Sequence, residues 1–209
     1  MKRSTLILLK TATWIACLWP LGKLVREAAT NTLGPDPTAT LTFTTGLTTL
    51  NLLAIGLALT PARKLIPRLG WLVKFRRLVG LFAFFYATLH LATYVALYAG
   101  FSVSAMAADL ARRRFIVVGL AAWLLLLPLA ATSTRWAIRT LGGKRWNQLH
   151  KLVYAAAVCG VIHYWWQVKP GVLTPMTITV VMAVLLVSRP IYSWQQQRKM
   201  RVRGVTVQP

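Results

Sequence analysis

Six stretches of this chain stay apolar for roughly 17–25 residues, the length a helix needs to cross a ~30 Å hydrocarbon core. They cover approximately 5–23, 41–60, 78–99, 115–133, 149–168 and 172–192. Hydrocarbon offers no partner to an open backbone N–H or C=O, so each run must close its hydrogen bonds internally, as a helix. The expectation is an all-α integral membrane protein, a single domain over 1–209 built as a six-transmembrane-helix bundle. A composition of 56% hydrophobic and 13% charged residues agrees, being far from that of a soluble domain. Breaks are expected at Gly34-Pro35-Asp36-Pro37, Pro61, Pro67, Gly142-Gly143 and Pro170-Gly171. Lys10 interrupts the first run, but its aliphatic stem lets the ammonium snorkel to the interface. Lys2 and Arg3 ahead of that run resemble the start of a signal sequence. No small-residue cleavage site follows, and Trp19, Pro20 and Lys23 come next, so the run is expected to be retained as a span. No internal repeat is evident.

Charge sets the orientation. Twenty-five Lys and Arg residues against three acidic ones give a formal charge of +22. A nucleic-acid binder would carry such charge on a folded polar face. Here it comes in short clusters between apolar runs, which argues against nucleic acid and for membrane lipid as the surrounding partner. Putting the N-terminus, the 61–77 and 134–151 loops and the C-terminal tail on one side leaves six of the 25 on the other: Lys23, Arg26, Arg112, Arg113, Arg114 and Lys169. By the positive-inside rule both termini of this multi-pass chain are expected in the cytoplasm. Cys17 and Cys159 fall in apolar runs and form no CxxC pair, so neither a disulfide framework nor a thiolate metal site is indicated.

Ionisable or metal-liganding groups are costly at membrane depth, so the three histidines are the first candidates for function. With the third and fifth runs both entering from the cytoplasm, His90 lies about 12 residues in and His163 about 14, roughly 18 and 21 Å deep. Two level imidazoles on different helices can supply both axial nitrogens of a haem iron. Small residues precede each at helical spacing, Gly80, Ala83 and Ala87 before His90 and Ala156, Cys159 and Gly160 before His163, leaving a slot for a flat macrocycle. The plainer reading of such residues is close helix packing; the histidines on the same faces favour the slot. A three-histidine zinc site is excluded, because its ligands must converge within ~2.1 Å of one ion while His150 stands ~20 Å along the helix from His163. His150 sits at the cytoplasmic mouth, and the third run offers only Phe75, Arg76 and Arg77 where a facing ligand would stand. One bis-histidine haem is therefore expected. A different group, anionic or phosphate-bearing, is expected at His150 among Arg76, Arg77, Lys144 and Arg145; an ordinary solvated histidine is the plainer alternative there.

The stretches Leu59-Thr60-Pro61-Ala62-Arg63, Arg76-Arg77-Leu78-Val79-Gly80, Ala87-Thr88-Leu89-His90-Leu91, Gly143-Lys144-Arg145-Trp146-Asn147-Gln148-Leu149-His150-Lys151-Leu152 and Ile162-His163-Tyr164 carry a resemblance. Together they resemble the MsrQ family, haem-binding membrane subunits of the bacterial periplasmic methionine-sulfoxide reductase system. More distantly, the core is similar to the transmembrane domains of ferric reductases and NADPH oxidases. The resemblance spans nearly the whole chain from Lys10. It implies a ferric-reductase-like, six-helix inner-membrane flavoprotein carrying haem b and FMN. Such a protein passes electrons from the quinol pool to a periplasmic, molybdenum-containing methionine-sulfoxide reductase, pairs with it as a heterodimer, and is the electron-transfer subunit rather than the catalytic one. FMN would suit the basic cluster at His150. The third run has one histidine where the oxidases have two, which argues against a second bis-histidine haem; yet His150 and His163 keep a spacing like theirs, so a second haem with an unusual ligand set stays open.

The competing class is a proton-coupled transporter with the intramembrane histidines as a relay. Against it, no Asp or Glu lies inside an apolar run, and no matched pair of broken half-helices suggests a midplane substrate site. The short tail after the sixth run leaves no room for a flavin or NAD(P)H domain, so the reductant is expected from elsewhere. Electrons are expected to leave at the outer face, where Arg112, Arg113, Arg114 and Lys169 are placed to hold haem propionates or to meet an acidic partner.

Overall fold

The computed structural model describes residues 3–168 and 173–202, and among them every regular element is helical. α1 (Arg3–Ala29) and α2 (Pro37–Leu65) are joined by the Gly-Pro turn the sequence suggests. There Gly34 takes φ +91°, Pro37 opens α2 and Asp36 caps it by accepting from the Ala39 N–H at 2.9 Å. A 3-10 segment (Pro67–Phe75) leads into α3 (Arg76–Thr93), which runs on into a π-helical turn (Tyr94–Tyr98). Beyond it come α4 (Val103–Arg112), α5 (Arg114–Ala131), two short helices, α6 (Arg135–Leu141) and α7 (Gly143–Leu149), then α8 (Leu152–Gln167) and α9 (Thr174–Val202).

Four of these stretches are long and apolar enough to cross a membrane: Ser4–Ala29, Pro37–Leu65, Pro67–Tyr98 and Arg114–Ala131. Neither of the last two expected spans reaches that mark among the described residues, although α9 as a helix runs for 29 residues. α8 has 16 residues, and the apolar part of α9 is Thr174–Ser188.

Three local expectations are corrected. Pro61 does not end α2, which continues to Leu65; Pro20 and Pro128 likewise lie inside α1 and α5. A proline removes one ladder bond and crowds the carbonyl four residues back, a cost that a membrane helix meets through neighbouring helices and nearby hydroxyls. The expected loops 61–77 and 134–151 are mostly helical, and the connection between α3 and α5 holds α4, a strongly amphipathic helix too short to register as a span. His150 stands in the turn between α7 and α8, so it does not share a helix with His163 and the distance argued along one helix does not apply to it.

The core is built from α2 (Leu50, Leu53, Leu57), α3 (Val79, Phe82, Tyr86), α5 (Leu126, Leu129) and α8 (Ala156, Ala157). α2 packs most extensively on α3, and α5 on α8. α1 joins this core through one polar device. The wholly buried Tyr86 hydroxyl donates to the Cys17 carbonyl at 2.7 Å and accepts from the Leu21 N–H at 3.1 Å. Cys17 and Leu21 are an i, i+4 pair, so the hydroxyl is threaded into α1's own ladder beside Pro20. Trp14 adds an edge-on contact with Phe82, ring centroids 4.9 Å apart.

Tyr86→Phe is expected to loosen α1 by about 1 kcal/mol, the worth of a neutral hydrogen bond. The measurement is amide exchange in detergent: rates around 17–21 rise while those of α2 and α3 stay put. Unchanged exchange at Leu21 would show that the hydroxyl does not hold α1.

Candidate functional site

Between α2, α3, α5 and α8 lies a cavity of about 430 Å³, within the size range of cofactor pockets. His90 reaches it from α3 and His163 from α8. Their imidazole centroids are 5.8 Å apart, with ring planes at 83°. Two metal–nitrogen bonds of about 2 Å each, plus the ring radii, separate the axial imidazoles of one ion by roughly 6 Å, so the pair already stands close to that spacing. Each ring is fixed by a helix carbonyl: His90 Nδ1 lies 2.9 Å from the Thr42 oxygen, and His163 Nδ1 lies 2.7 Å from the Phe115 oxygen. A carbonyl only accepts, so Nδ1 carries the proton in both rings and Nε2 keeps its lone pair. That is the tautomer in which a histidine ligates a metal, with the carbonyl raising its basicity.

Among the described residues no group of three His, Cys, Asp or Glu side chains stands together. A metal held by these two nitrogens would need further ligands, which a macrocycle can supply. Phe43, Leu50, Leu120 and Trp123 give that macrocycle apolar walls. Donor set, spacing and walls fit a haem.

Of the small residues expected to form the slot, Ala87, Ala156 and Gly160 line the cavity. Ala83 is buried elsewhere in the core, Cys159 is not part of the lining, and Gly80 is exposed with open space where a Cβ would stand. Two residues that matter more were missed by the sequence reasoning. A Cβ on Gly46 of α2 would stand 3.0 Å from Cε1 and Nδ1 of His90; on Gly119 of α5 it would stand 2.7 and 2.8 Å from Nδ1 and Cε1 of His163. Their sequence signal is positional: each lies in an apolar run at the level of one of the histidines.

At the end nearest α4 the cavity is lined by Tyr94, Tyr98, Met106, Leu110 and Arg113, so one face of α4 roofs it. Asp109 links this roof to the π-helical turn by accepting from the Tyr94 hydroxyl at 3.0 Å, and pairs with Arg113 Nε at 3.1 Å across the last turn of α4 itself. Arg113, which lines this end, is more than half exposed and already paired with Asp109, so a ligand carboxylate here would share its guanidinium with that residue. Arg112 and Arg114 are exposed and do not line it; Lys169 lies outside the described residues.

His150 belongs to a separate place. It stacks on Trp146, ring centroids 3.8 Å apart, with Nδ1 3.1 Å from the Trp146 carbonyl oxygen. The Trp146 indole N–H donates to the Thr132 carbonyl at 3.0 Å. Of the basic residues expected around His150, Arg76 is near enough to act on its ring electrostatically, while Arg77, Lys144 and Arg145 are exposed. None of the five lines the cavity between His90 and His163.

Residues 45–161 match the family described as ferric reductase like transmembrane component. The chain is 43% identical to a protein-methionine-sulfoxide reductase heme-binding subunit MsrQ of Herminiimonas arsenicoxydans, with 93% of this chain and 89% of the relative covered. The subunit of the same description from Rhodospirillum rubrum is 43% identical, with 92% of each chain covered. That of Xanthomonas axonopodis pv. citri is 38% identical over 97% of this chain and 92% of its own.

Asp109→Ala removes the bond that links α4 to Tyr94 together with the ion pair to Arg113, and the roof is expected to open. Amide exchange across Val103–Arg112 should rise severalfold while α2 and α3 keep wild-type protection. Equal protection of α4 in variant and wild type would assign its hold to apolar contacts alone.

Proposed function

The chain belongs to the MsrQ family of ferric-reductase-like membrane components, and from that premise we propose that it is a haem b-binding membrane subunit delivering electrons to a methionine-sulfoxide reductase. The observation that carries the reading is the facing pair of imidazoles, 5.8 Å apart, each with its Nδ1–H given to a helix carbonyl. His90 and His163 are the proposed iron ligands, and Arg113 the proposed partner of a propionate. A bound haem supplies one-electron chemistry. The protein's part is to fix both ligand nitrogens, keep water from the cavity walls and offer one cation at the mouth.

The finer reading has the chain cross the bacterial inner membrane six times, α8 and α9 providing the last two spans, with both termini in the cytoplasm. Electrons enter from the quinol pool on the cytoplasmic half and leave at the outer face to a periplasmic, molybdenum-containing reductase paired with this chain as a heterodimer. FMN is proposed near His150, with Arg76, Arg77, Lys144 and Arg145 available to its phosphate; the stacked Trp146–His150 pair beside Arg76 supports an aromatic, anionic ligand there. The transporter reading gains nothing from the geometry. The polar neighbour of each buried ring is a carbonyl, which has no proton to relay, and among the described residues no carboxylate lines the cavity.

His90→Ala and His163→Ala are each expected to abolish stable haem binding, measured by redox difference spectra and pigment extraction. His150→Ala, remote from the cavity lining, is expected to keep the haem and slow its reduction by a quinol analogue. Wild-type haem content in both of the first two variants would sink the ligand assignment, and complete haem loss in the third would make His150 a ligand.

A further inference from the structure

We propose that Gly46 and Gly119 are positioning residues for the two imidazoles: each bares a helix carbonyl to the Nδ1–H of the histidine opposite, and so sets the orientation and basicity of a ligand nitrogen. The inference rests on the reading of His90 and His163 as haem ligands.

A helix carbonyl spends one lone pair on the N–H four residues ahead and keeps a second. Side chains lean back toward the helix N-terminus, so the residue at i+4 covers the turn that holds the carbonyl of residue i. Thr42 and Gly46 are such a pair on α2, and Phe115 and Gly119 are such a pair on α5. In both, the glycine is what lets the ring in, because the space a methyl group would fill is taken by imidazole atoms: His90 Cε1 and Nδ1 at 3.0 Å, His163 Nδ1 and Cε1 at 2.7 and 2.8 Å. Those same Nδ1 atoms make the bonds to Thr42 and Phe115.

Two observations separate this from ordinary small-residue packing. Other glycines inside the apolar helices touch no histidine: a Cβ on Gly56 would meet only Val79 Cγ1 at 3.8 Å, and on Gly22 or Gly80 nothing within 4 Å. The arrangement also occurs twice with one spacing, for both carbonyl-to-histidine bonds span 48 residues and both glycines stand four residues after the carbonyl. The chain thus does contain a repeat, of three functional positions rather than of sequence.

An Nδ1–H given to a carbonyl makes the imidazole a more electron-rich ligand, which favours the oxidised metal and lowers its potential. Losing that bond moves the potential up. The two glycines are not equivalent. The 3.0 Å approach at Gly46 is relieved if His90 yields by a few tenths of an ångström, whereas 2.7 Å at Gly119 forces His163 off its carbonyl.

The test uses the purified, haem-loaded protein with Gly46→Ala, Gly119→Ala and, as a matched control on α2, Gly56→Ala. Gly56→Ala should keep the wild-type midpoint potential and ferric low-spin electron paramagnetic resonance signal. Gly46→Ala should shift the potential positive and change the g values, and Gly119→Ala should shift both further, with partial or complete haem loss at unchanged helicity. If Gly119→Ala does not accumulate, Gly46→Ala against Gly56→Ala decides. Wild-type potential and g values in the glycine variants, alongside haem loss in His90→Ala and His163→Ala, overturn this inference and leave the ligand assignment standing; haem retained in both histidine variants overturns the assignment beneath it.

Discussion

In a hydrocarbon interior the second lone pair of a helix carbonyl is the one acceptor every helix brings with it, and this chain uses it repeatedly. Leaving a buried polar group unpaired costs about 1–3 kcal/mol, and an imidazole has two such groups. Giving Nδ1–H to the Thr42 and Phe115 carbonyls settles one nitrogen of each ring without any polar side chain. It also decides the tautomer, so the other nitrogen is left as an acceptor on each of two rings 5.8 Å apart. A positive centre between them would answer both, although among the described residues no carboxylate or thiolate stands with them.

The same resource explains how threonine and proline are tolerated in these helices. Thr42, Thr45 and Thr49 of α2 return their hydroxyls to the carbonyls of Thr38, Leu41 and Thr45 at 2.8–3.0 Å. Thr42's own carbonyl accepts from His90, and the Thr45 hydroxyl is shared between it at 3.0 Å and the Leu41 carbonyl at 2.8 Å. In α1 the arrangement is inverted: Tyr86 brings a hydroxyl from α3 into the ladder beside Pro20, serving a carbonyl and an N–H together. Hydroxyls thus repair or occupy backbone positions, and the polar side chains of the apolar helices face backbone more than one another.

Helix type and the level placement of His90 and His163 were legible because both follow from counting: run length against membrane thickness, and residue number from a common face. Pro61 was misread because a proline signals a break most reliably where water competes for the freed carbonyl. α4 escaped because ten residues are too few for a span, and its alternation of apolar and polar faces shows only once the cavity it roofs is known. His150 was assigned to the fifth helix because nothing in Leu149-His150-Lys151 marks a turn; the chain bends there with Trp146 stacked on the ring. Gly46 and Gly119 were invisible singly, since a glycine against a histidine and a glycine against Val79 look alike until the facing helix is in place.

Register is what the site finally depends on. Each histidine meets a carbonyl 48 residues earlier, on the helix that its own helix packs against most, α3 on α2 and α8 on α5. Contact between α3 and α5 then sets the two pairs side by side. A slip of one turn in either pair would carry a ring about 5.4 Å along its axis, nearly the whole distance between the imidazoles, and would set it against a turn where no glycine makes room. The connections therefore need fixed lengths, and they are built as structure rather than slack chain: the 3-10 segment Pro67–Phe75 before α3, and α6 and α7 before α8. The Trp146 indole bonded to the Thr132 carbonyl pins the second connection to the end of α5 at 3.0 Å. The basic, helical connections thereby hold the two imidazoles in register from the end of the bundle opposite α4.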